Sequence, residues 1–589
     1  MITMNNIPLA IIFVVGAVLL AILPHRVRPV AYLAIPALAF YFLLHLEPGV
    51  SLNFHFLNYE LVPYRVDRLS LVFGYVFVIM GFVGGVYSFH VKDKLQQVSS
   101  LLYVGSSLGV VFAGDLFTLL VFWEIMAVSS VCLIWARRRP KSNRAGFRYL
   151  LVHIFGGSML MAGIILHYNQ TGSMLFNHFE GGIASYLILF SFALNAAVPP
   201  LHAWLTDAYP EGTVTGSVFL SAFTTKVAIY ALARGFAGLE VLIWAGIIMA
   251  IYGVVFAVLE NDIRRLLAYH IISQVGYMVF AIGLGTEMAI NGATAHAFSH
   301  IMYKSLLFMG VGTVIYATGE SKLTRLGGLA RAMPLALGLY MVGAFSISGF
   351  PLFSGFVSKS MVIHGAEIEH MAAAALLLSL ASVGTFLHTG LKLPYFTWFG
   401  NSRLLKPLKP RPVPRCMYIG MALTAGICIT IGVQPALLYN LLPFTVHYQP
   451  YTASHVMQTM QLLIFTGLGF WLLIGKLGGE AKITLDTDWF YRRPSRLAYT
   501  VFSVSICRFF GVVEKLSLSL VRFITKLSAN PPGYLVELVM TAKYAFLRTE
   551  KPAPEPATFN PDRYRIPLGV MVLVVLLGLI ILLAWDIFI

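Results

Sequence analysis

The chain has 589 residues, of which 58% are hydrophobic and 11% charged, and a formal net charge of +16. A soluble chain carries roughly a quarter charged residues, so this composition and a mean hydropathy of +0.79 exclude a soluble protein and leave the bilayer as the solvent. The charge alone would allow nucleic-acid binding, but the basic residues fall between apolar runs, where they set topology and meet lipid headgroups.

A hydrocarbon core about 30 Å thick takes roughly 20 apolar residues per helical crossing. Such runs are predicted at 6–23, 30–46, 68–89, 99–114, 116–136, 149–168, 183–205, 214–235, 240–259, 266–285, 291–316, 334–364, 371–399, 416–442, 458–475 and 567–588. The expected fold class is an all-α polytopic membrane protein of about sixteen spans, in the inner membrane of a bacterial cell. The first run, Ile7 to Leu23, has no basic stretch before it and no small-residue cleavage site after it. It predicts a retained helix and a mature chain starting near Met1.

Every second connection is basic. Arg26 and Arg28, Lys92 and Lys94, Arg137 to Arg139 with Lys141 and Arg144, Arg264 and Arg265, Lys322, Arg325 and Arg331, and Arg403, Lys406, Lys409, Arg411 and Arg415 all fall on one side. That side is expected to be cytoplasmic, with both termini on the other. The connection around Asp207 and Glu211 is the exception. The opposite-side loop 47–67 mixes Glu47, Glu60 and Asp67 with Arg65 and Arg68.

Ionisable side chains inside apolar runs cost a few kcal/mol each, and so must be paired, hydrated or functional. Glu124 lies in LFTLLVFWEIMAVSSVCLI, Lys226 in GSVFLSAFTTKVAIYALAR, Lys304 in ATAHAFSHIMYKSLLFMGVG and Lys359 in GFPLFSGFVSKSMVIHG. Desolvation destabilises an ammonium, so a nearby charge can switch the protonation state of a buried lysine. His296, His300 and Lys304 recur every four residues, which stacks two imidazoles and an ammonium on one helix face, about 6 Å apart at each step. These six residues form a candidate proton relay. His388 and Lys392 lie near the end of the thirteenth run, where Lys392 either snorkels to the interface or joins the exit of the relay.

Two runs carry helix breakers at comparable places: LNAAVPPLHAWL with Pro199 and Pro200, and SISGFPLFSGF with Gly349, Pro351 and Gly355. Backbone freed at membrane depth is tolerated where it lines protein or water. One break in each half suggests repeated units of about five helices, over 99–235 and 240–399. N-terminal helices over 1–98 precede them and further core spans over 400–475 follow.

Residues 476–566 combine Arg492, Arg493, Arg496, Arg508 and Lys515 with Phe502, Phe509, Phe510, Leu516 and Leu520. This predicts an amphipathic stretch along the membrane or a partner, either a brace or a passive tail. A linker, KPAPEPATFNPDRYR, leads to the terminal span in 567–589. Cys132, Cys416, Cys428 and Cys507 are scattered, and no disulfide framework, metal site or cofactor is expected.

FTLLVFWE, PPLHAWLTDAY, NDIRRLLAYHIISQVGY, HAFSHIMYKSLLFMGVG and GFPLFSGFVSK occur in this order. From about 60 to 400 the chain resembles the antiporter-like subunits shared by respiratory complex I, membrane-bound hydrogenases and Mrp-type cation/proton antiporters, closest to the D-type subunit of the Mrp antiporters. The resemblance implies fourteen core helices with two inverted five-helix repeats and broken helices seven and twelve. It also implies that Glu124 is the helix-five glutamate, Lys226 the helix-eight lysine and Lys359 the charged residue of broken helix twelve, with His296, His300 and Lys304 in the helix-eleven relay. The tail resembles the lateral helix and terminal span of larger members. Where the family usually has a lysine paired with the helix-five glutamate, this chain has Asn195. Glu124 must then turn to Arg148 or Lys226, or remain desolvated without a full counter-charge. The turn EGTVTGSV also departs from the family's PTP type.

Together these features predict a subunit that moves protons, or protons against Na⁺ or K⁺, alongside other membrane subunits. The alternatives are a proton channel of a redox-driven hydrogenase or quinone oxidoreductase, an energising subunit of an uptake system, or a scaffold whose relay has decayed. The chain has no nucleotide loop, cluster ligands or haem pair, so redox chemistry would belong to partners.

Overall fold

The computed structural model describes residues 7–49, 51–57, 59–402, 404, 408–478, 486–487, 489, 497, 499–550 and 566–588. The expected start at Met1, the basic residues Arg403, Lys406, Arg492, Arg493 and Arg496, and the linker 551–565 lie outside the described residues. The chain forms two units, Met1–Asp488 and Trp489–Ile589.

The first unit opens with α1 (Leu9–Ile22) and α2 (Arg28–Leu44), then a hairpin of β1 (Ser51–Phe56) and β2 (Tyr59–Arg65). Next come α3 (Arg68–Tyr87), α4 (Lys94–Val111), α5 (Leu116–Trp135), α6 (Pro140–Thr171), α7 (Ile183–Asn195), α8 (Ala203–Ala208), α9 (Gly216–Ala222) and α10 (Thr224–Gly235). The chain continues through α11 (Glu240–Leu259), α12 (Ile263–Leu284), α13 (Glu287–Thr318), α14 (Pro334–Ser348), α15 (Ser354–Ile368) and α16 (Ala372–Thr385). It ends in α17 (Arg415–Val433), α18 (Ala436–Tyr439) and α19 (Ala453–Leu473). The second unit contains α20 (Ile506–Ala529), α21 (Pro531–Leu547) and α22 (Leu568–Phe588).

Each of the sixteen expected runs contains helix among the described residues. Among the described residues, ten helices are long and apolar enough to cross a membrane, and five more are shorter apolar helices; α4, rich in serine and glutamine, belongs to neither group. Three features depart from the expected helices and loops. The loop 47–67 holds an antiparallel hairpin. The run 214–235 is interrupted at Phe223, between α9 and α10. The thirteenth run leaves α-geometry after Thr385 and is π-wound over Phe386–Lys392 and Tyr395–Phe399.

Buried carboxylates fix where helices begin. Asp115 accepts from Thr118 N at 2.6 Å and Thr118 Oγ1 at 2.8 Å, capping α5, and from Val62 N of β2 at 2.9 Å, which ties the hairpin to the helix. Asp262 caps α12 through Arg264 N and Arg265 N and accepts from Ser321 Oγ at 2.7 Å. Helices α11 and α12 meet backbone to backbone, because a Cβ at Gly246 would lie 2.3 Å from Phe280 N and one at Gly276 2.6 Å from Ala250 N. The helices enclosed on nearly every side are α9–α10, α12 and α13, and these carry Lys226, His270, His296, His300 and Lys304. A helix buried all round has no lipid face to which such groups could escape.

The acidic exception among the basic connections is neutralised locally. Glu211 pairs with Arg137 of the α5–α6 connection at 3.2 Å and with Lys141 of the first turn of α6 at 2.5 Å, while Asp207 pairs with Arg148 of α6. In the second unit the stretch expected to be amphipathic is helical over α20 and α21, with an interruption at Asn530. Arg508, Lys515 and Arg522 recur every seven residues along α20, and Phe509, Phe510, Leu516 and Leu520 are exposed.

Candidate functional site

Both predicted breaks are present. Between α7 and α8 the backbone leaves helical geometry around a cis Pro199–Pro200 bond, and between α14 and α15 around Pro351. Each break holds a non-glycine residue at positive φ, Ala197 at 62° and Leu352 at 72°, a conformation costing about 1–2 kcal/mol that the surrounding packing must enforce. At the second break only glycine fits position 355, since a Cβ there would lie 1.7 Å from Ser346 O.

The breaks expose helix-end carbonyls, and lysines occupy such ends. Lys359 Nζ donates to Ile347 O near the end of α14 at 2.7 Å and to Ser382 Oγ at 3.2 Å. Lys226 Nζ donates to Ser221 O near the end of α9 at 2.6 Å and to Thr225 Oγ1 at 3.0 Å. Lys392 Nζ donates to Val258 O near the end of α11 at 2.6 Å. The partial negative charge of a helix C-terminus favours an ammonium at each of these places.

Between these lysines runs a buried row of bases. Lys359 Nζ stands 5.3 Å from the centroid of the Tyr277 ring, and Tyr277 packs 5.7 Å from His296. His296 contacts Ser358 Oγ at 3.2 Å and Tyr303 OH at 3.4 Å, and its ring lies 6.3 Å from that of His300. Lys226, Lys304, His296 and Lys359 all act electrostatically on His300. Lys304 is fully buried, its Nζ has no hydrogen-bond partner among the described residues, and Phe308 stands near it, with the ring centroid at 6.0 Å. The row continues to His270, which feels Lys304, His388, Lys359 and Lys392 and whose ring is 5.7 Å from that of His388. Both ring nitrogens of His270, His300 and His388 are without hydrogen-bond partners among the described residues. The six predicted relay residues thus fall into one connected group of five plus Glu124. His388 lies next to His270, and Lys392, left open between snorkelling and the relay, is 2% exposed with its ammonium on Val258 O.

Glu124 stands apart. It lies over Gly157 of α6, where a Cβ would come 1.6 Å from Glu124 Oε1. Neither expected partner reaches it. Arg148 forms a two-point contact with Asp207 through Nε at 2.7 Å and Nη2 at 3.0 Å, and the Lys226 ammonium is committed to α9. Asn195 is buried beside His153, whose ring is wedged between Tyr149 at 4.2 Å and Trp204 at 4.6 Å. His153 precedes Gly157 by one helical turn, so it shares the α6 face against which Glu124 lies.

His153 and His270 are the members of the site that sequence reasoning missed. Each is a histidine in an apolar run, the same signal that singled out His296 and His300, without the four-residue repeat. At the Lys359 end of the row, a cavity of about 590 Å³ is lined by Lys359, Ser360, His364, Glu367, His447 and His455.

Residues 113–387 match a sequence profile described as NADH:quinone oxidoreductase/Mrp antiporter, TM. Over 374 residues the chain is 30% identical to uncharacterized protein MJ1309 of Methanocaldococcus jannaschii, covering 60% of this chain and 77% of that protein. Over 444 residues it is 28% identical to the D-type subunit of the Na⁺/H⁺ antiporter of Alkalihalophilus pseudofirmus, covering 68% of this chain and 88% of that one. In fold it is similar to a chain of the membrane-bound sulfane sulfur reductase, an archaeal respiratory membrane complex, with a TM-score of 0.68 at 22% identity over 91% of this chain and 100% of the other.

Proposed function

Since the chain belongs to the transmembrane family shared by NADH:quinone oxidoreductases and Mrp antiporters, we propose that it is a proton-translocating subunit of a multisubunit membrane complex. The observation that carries this reading is Lys304, a fully buried amine with no hydrogen-bond partner among the described residues, in the middle of a row of imidazoles and lysines. Evolution of a stable fold alone would replace such a group with an apolar one of similar volume.

The row runs Lys359, His296, His300, Lys304, His270, His388, Lys392, with Lys226 beside His300. None of these side chains is an acid, so a proton loaded on one raises the electrostatic cost of loading its neighbours. A proton entering at one end therefore favours release at the other, which is hand-over rather than storage. Imidazole and amine nitrogens suit protons, whereas hard cations such as Na⁺ and K⁺ favour oxygen ligands. Exchange against Na⁺ or K⁺, if this chain contributes to it, belongs with Glu124 in the first half.

The basic connections assign the cytoplasmic face. Lys392 and the end of α11 then lie towards the cytoplasm, the cavity beyond Lys359 faces the opposite side, and both termini are outside the cytoplasm of the bacterial cell. The two halves are inverted repeats over 99–235 and 240–399. Asp115 and Asp262 support this: each caps the first helix after a connection, α5 or α12, and each bridges to a later loop, at Leu175 or Lys322, yet by the alternation of spans they lie on opposite faces. Within the stretch 476–566, the described helices α20 and α21 are the lateral element of this reading, ahead of the terminal span.

Lys304→Met tests the function. A structural lysine would leave transport unaffected. A relay lysine yields a complex at least as heat-stable as the wild type, since an unpaired buried amine is gone, but with proton uptake into inverted vesicles reduced about 100-fold. Wild-type uptake by assembled Lys304→Met complex would refute the relay. A second reading, a proton channel of a redox-driven complex, is favoured by the fold likeness to the sulfane sulfur reductase chain over 91% of this chain. Mass spectrometry of the complex purified in mild detergent separates the two: small hydrophobic subunits alone support the antiporter, and cluster-bearing redox subunits support the channel.

A further inference from the structure

One buried carboxylate belongs to neither row nor cap. Asp486 lies beyond α19, in sequence next to the polar stretch that precedes the lateral helices, yet it is 6% exposed. Both carboxylate oxygens face His202 Nε2, at 3.1 and 3.2 Å. Tyr252 OH of α11 donates to Oδ1 at 2.5 Å and Tyr269 OH of α12 donates to Oδ2. The next residue, Thr487, places its hydroxyl 3.4 Å from Pro200 O, in the first break itself. Behind Tyr269 stands the Arg265–Glu260 ion pair at 3.3 Å, with the guanidinium 6.0 Å from the tyrosine ring. One carboxylate from the far end of the unit thus joins the break of the first half to the first two helices of the second.

The chemistry of His202 gives this geometry its consequence. The imidazole is fully buried, stacked edge-on against Tyr252 at 4.7 Å, and its Nδ1 has no hydrogen-bond partner among the described residues. Against an ionised carboxylate Nε2 carries its proton and donates, which leaves Nδ1 as the atom free to accept one. The Asp486 carboxylate 3.1 Å away places a negative charge directly against the ring. Burial alone would push the Asp486 carboxyl up, but the hydrogen bond and charge of His202 and the two tyrosine hydroxyls outweigh burial and hold it well below the usual carboxylate range. The carboxylate therefore stays ionised against the His202 ring.

We propose that Asp486 is a positioning residue of the transport pathway, holding His202 in the first broken helix as a proton-carrying imidazole at the junction of the two halves. The step balances simply: Nδ1 gains one proton and later returns one, Nε2–H stays bonded to Asp486, and no other bond changes. The proposal rests on the proton-translocating function proposed above. It gives the first half an ionisable group within its break, where Asn195 is neutral, and makes that group depend on a segment outside the core spans.

The test uses the full chain in its assembled complex, with proton uptake by inverted vesicles normalised to assembled complex. Asp486→Asn keeps the size of the side chain and an acceptor for a tyrosine but removes the charge, and about a tenfold loss of uptake is expected, with Asp486→Glu recovering at least about half of the wild-type rate. A merely structural role would be served by Asn as well as or better than by Glu, so Asp486→Asn transporting within about twofold of wild type overturns the proposal. Should Asp486→Asn not assemble, His202→Gln decides on the same scale. Failure of both to assemble would mark the pair as a fold element and overturn the proposal too. Lys359→Ala, measured alongside, tests the underlying function separately: wild-type uptake there refutes the relay, whereas its loss together with unaffected Asp486→Asn refutes only the role of Asp486.

Discussion

In the second half, the break between α14 and α15 is closed by an ammonium. Lys359 reaches back across the gap to Ile347 O and also lines a cavity shared with His364, Glu367, His447 and His455. In the first half, the break between α7 and α8 is closed by neutral groups: Trp204 Nε1 donates to Leu194 O at 2.9 Å, and Asn195 lies beside His153. The charges of the first half are mostly locked into peripheral pairs, Arg148 with Asp207 and Glu211 with Arg137 and Lys141. Two breaks of similar backbone geometry therefore serve different chemistry. One presents an amine to a cavity, and the other stabilises a bend whose ionisable member, His202, is held by a remote carboxylate.

The largest effect that follows is a contrast between the two breaks. Lys359→Ala removes the side chain that joins the row to the cavity and is expected to lower proton uptake to background, about 100-fold or more, with the complex still assembled. Asn195→Ala, at the corresponding break of the first half, is expected to change uptake by less than about twofold, because the neutral amide of Asn195 exchanges no proton itself. Equal losses in the two variants, read from uptake per assembled complex, would erase the distinction.

A second contrast separates backbone from side-chain crowding. Alanine at Gly355 would drive a Cβ into Ser346 O at 1.7 Å, a backbone atom that cannot step aside. Gly355→Ala is expected to destabilise the complex by about 3 kcal/mol, as overpacking and strain of this kind do, and to lower its abundance on native gels. Alanine at Gly157 meets Glu124 Oε1 at 1.6 Å, the far end of a flexible side chain. Gly157→Ala should therefore leave assembly and melting temperature within about 1 kcal/mol of wild type while displacing Glu124 and altering uptake by several-fold. A melting temperature lowered as far by Gly157→Ala as by Gly355→Ala would show that Glu124 is rigidly held after all.

How much of this could be read from residues alone depended on whether the cause was local. Lys226, Lys304, Lys359 and Glu124 were legible because a charge inside an apolar run is expensive wherever the run folds, and the breaks were legible because proline removes a donor in any context. The π-wound stretch after Thr385 was not, since hydropathy carries no information on hydrogen-bond pitch. The hairpin at 51–65 was hidden in a loop of mixed charge, where no run is long enough to distinguish strand from connection. The pairing of Arg148 with Asp207 rather than Glu124 turns on which face of α6 each side chain leaves, and Asp486 reaches His202 across 284 positions from a stretch whose composition reads as surface. Family resemblance named the candidate relay residues by motif, but partners that no motif contains had to come from packing.

The finest test of the comparison is to give the first break what the second has. Asn195 is 1% exposed on α7, beside His153 and facing the side of α6 that carries Gly157, against which the carboxylate of Glu124 rests. A lysine at 195 has a longer side chain that ends in a cation, and Glu124, resting on the α6 face that also carries His153, is the anion it is expected to meet. Desolvating the new ammonium roughly cancels the attraction it gains, so Asn195→Lys should shift stability by no more than about 1 kcal/mol. Adding Glu124→Gln to it leaves the ammonium buried without a partner, and the double variant should fall about 3 kcal/mol below Asn195→Lys alone, a coupling visible in melting temperatures of the purified complex. If the pair forms, the first half acquires a switchable ion pair and the dependence of proton uptake on Na⁺ or K⁺ changes modestly, by about threefold. If the double variant is no less stable than the single one, the lysine has turned elsewhere, and the neutrality of Asn195 is not what makes the two halves differ.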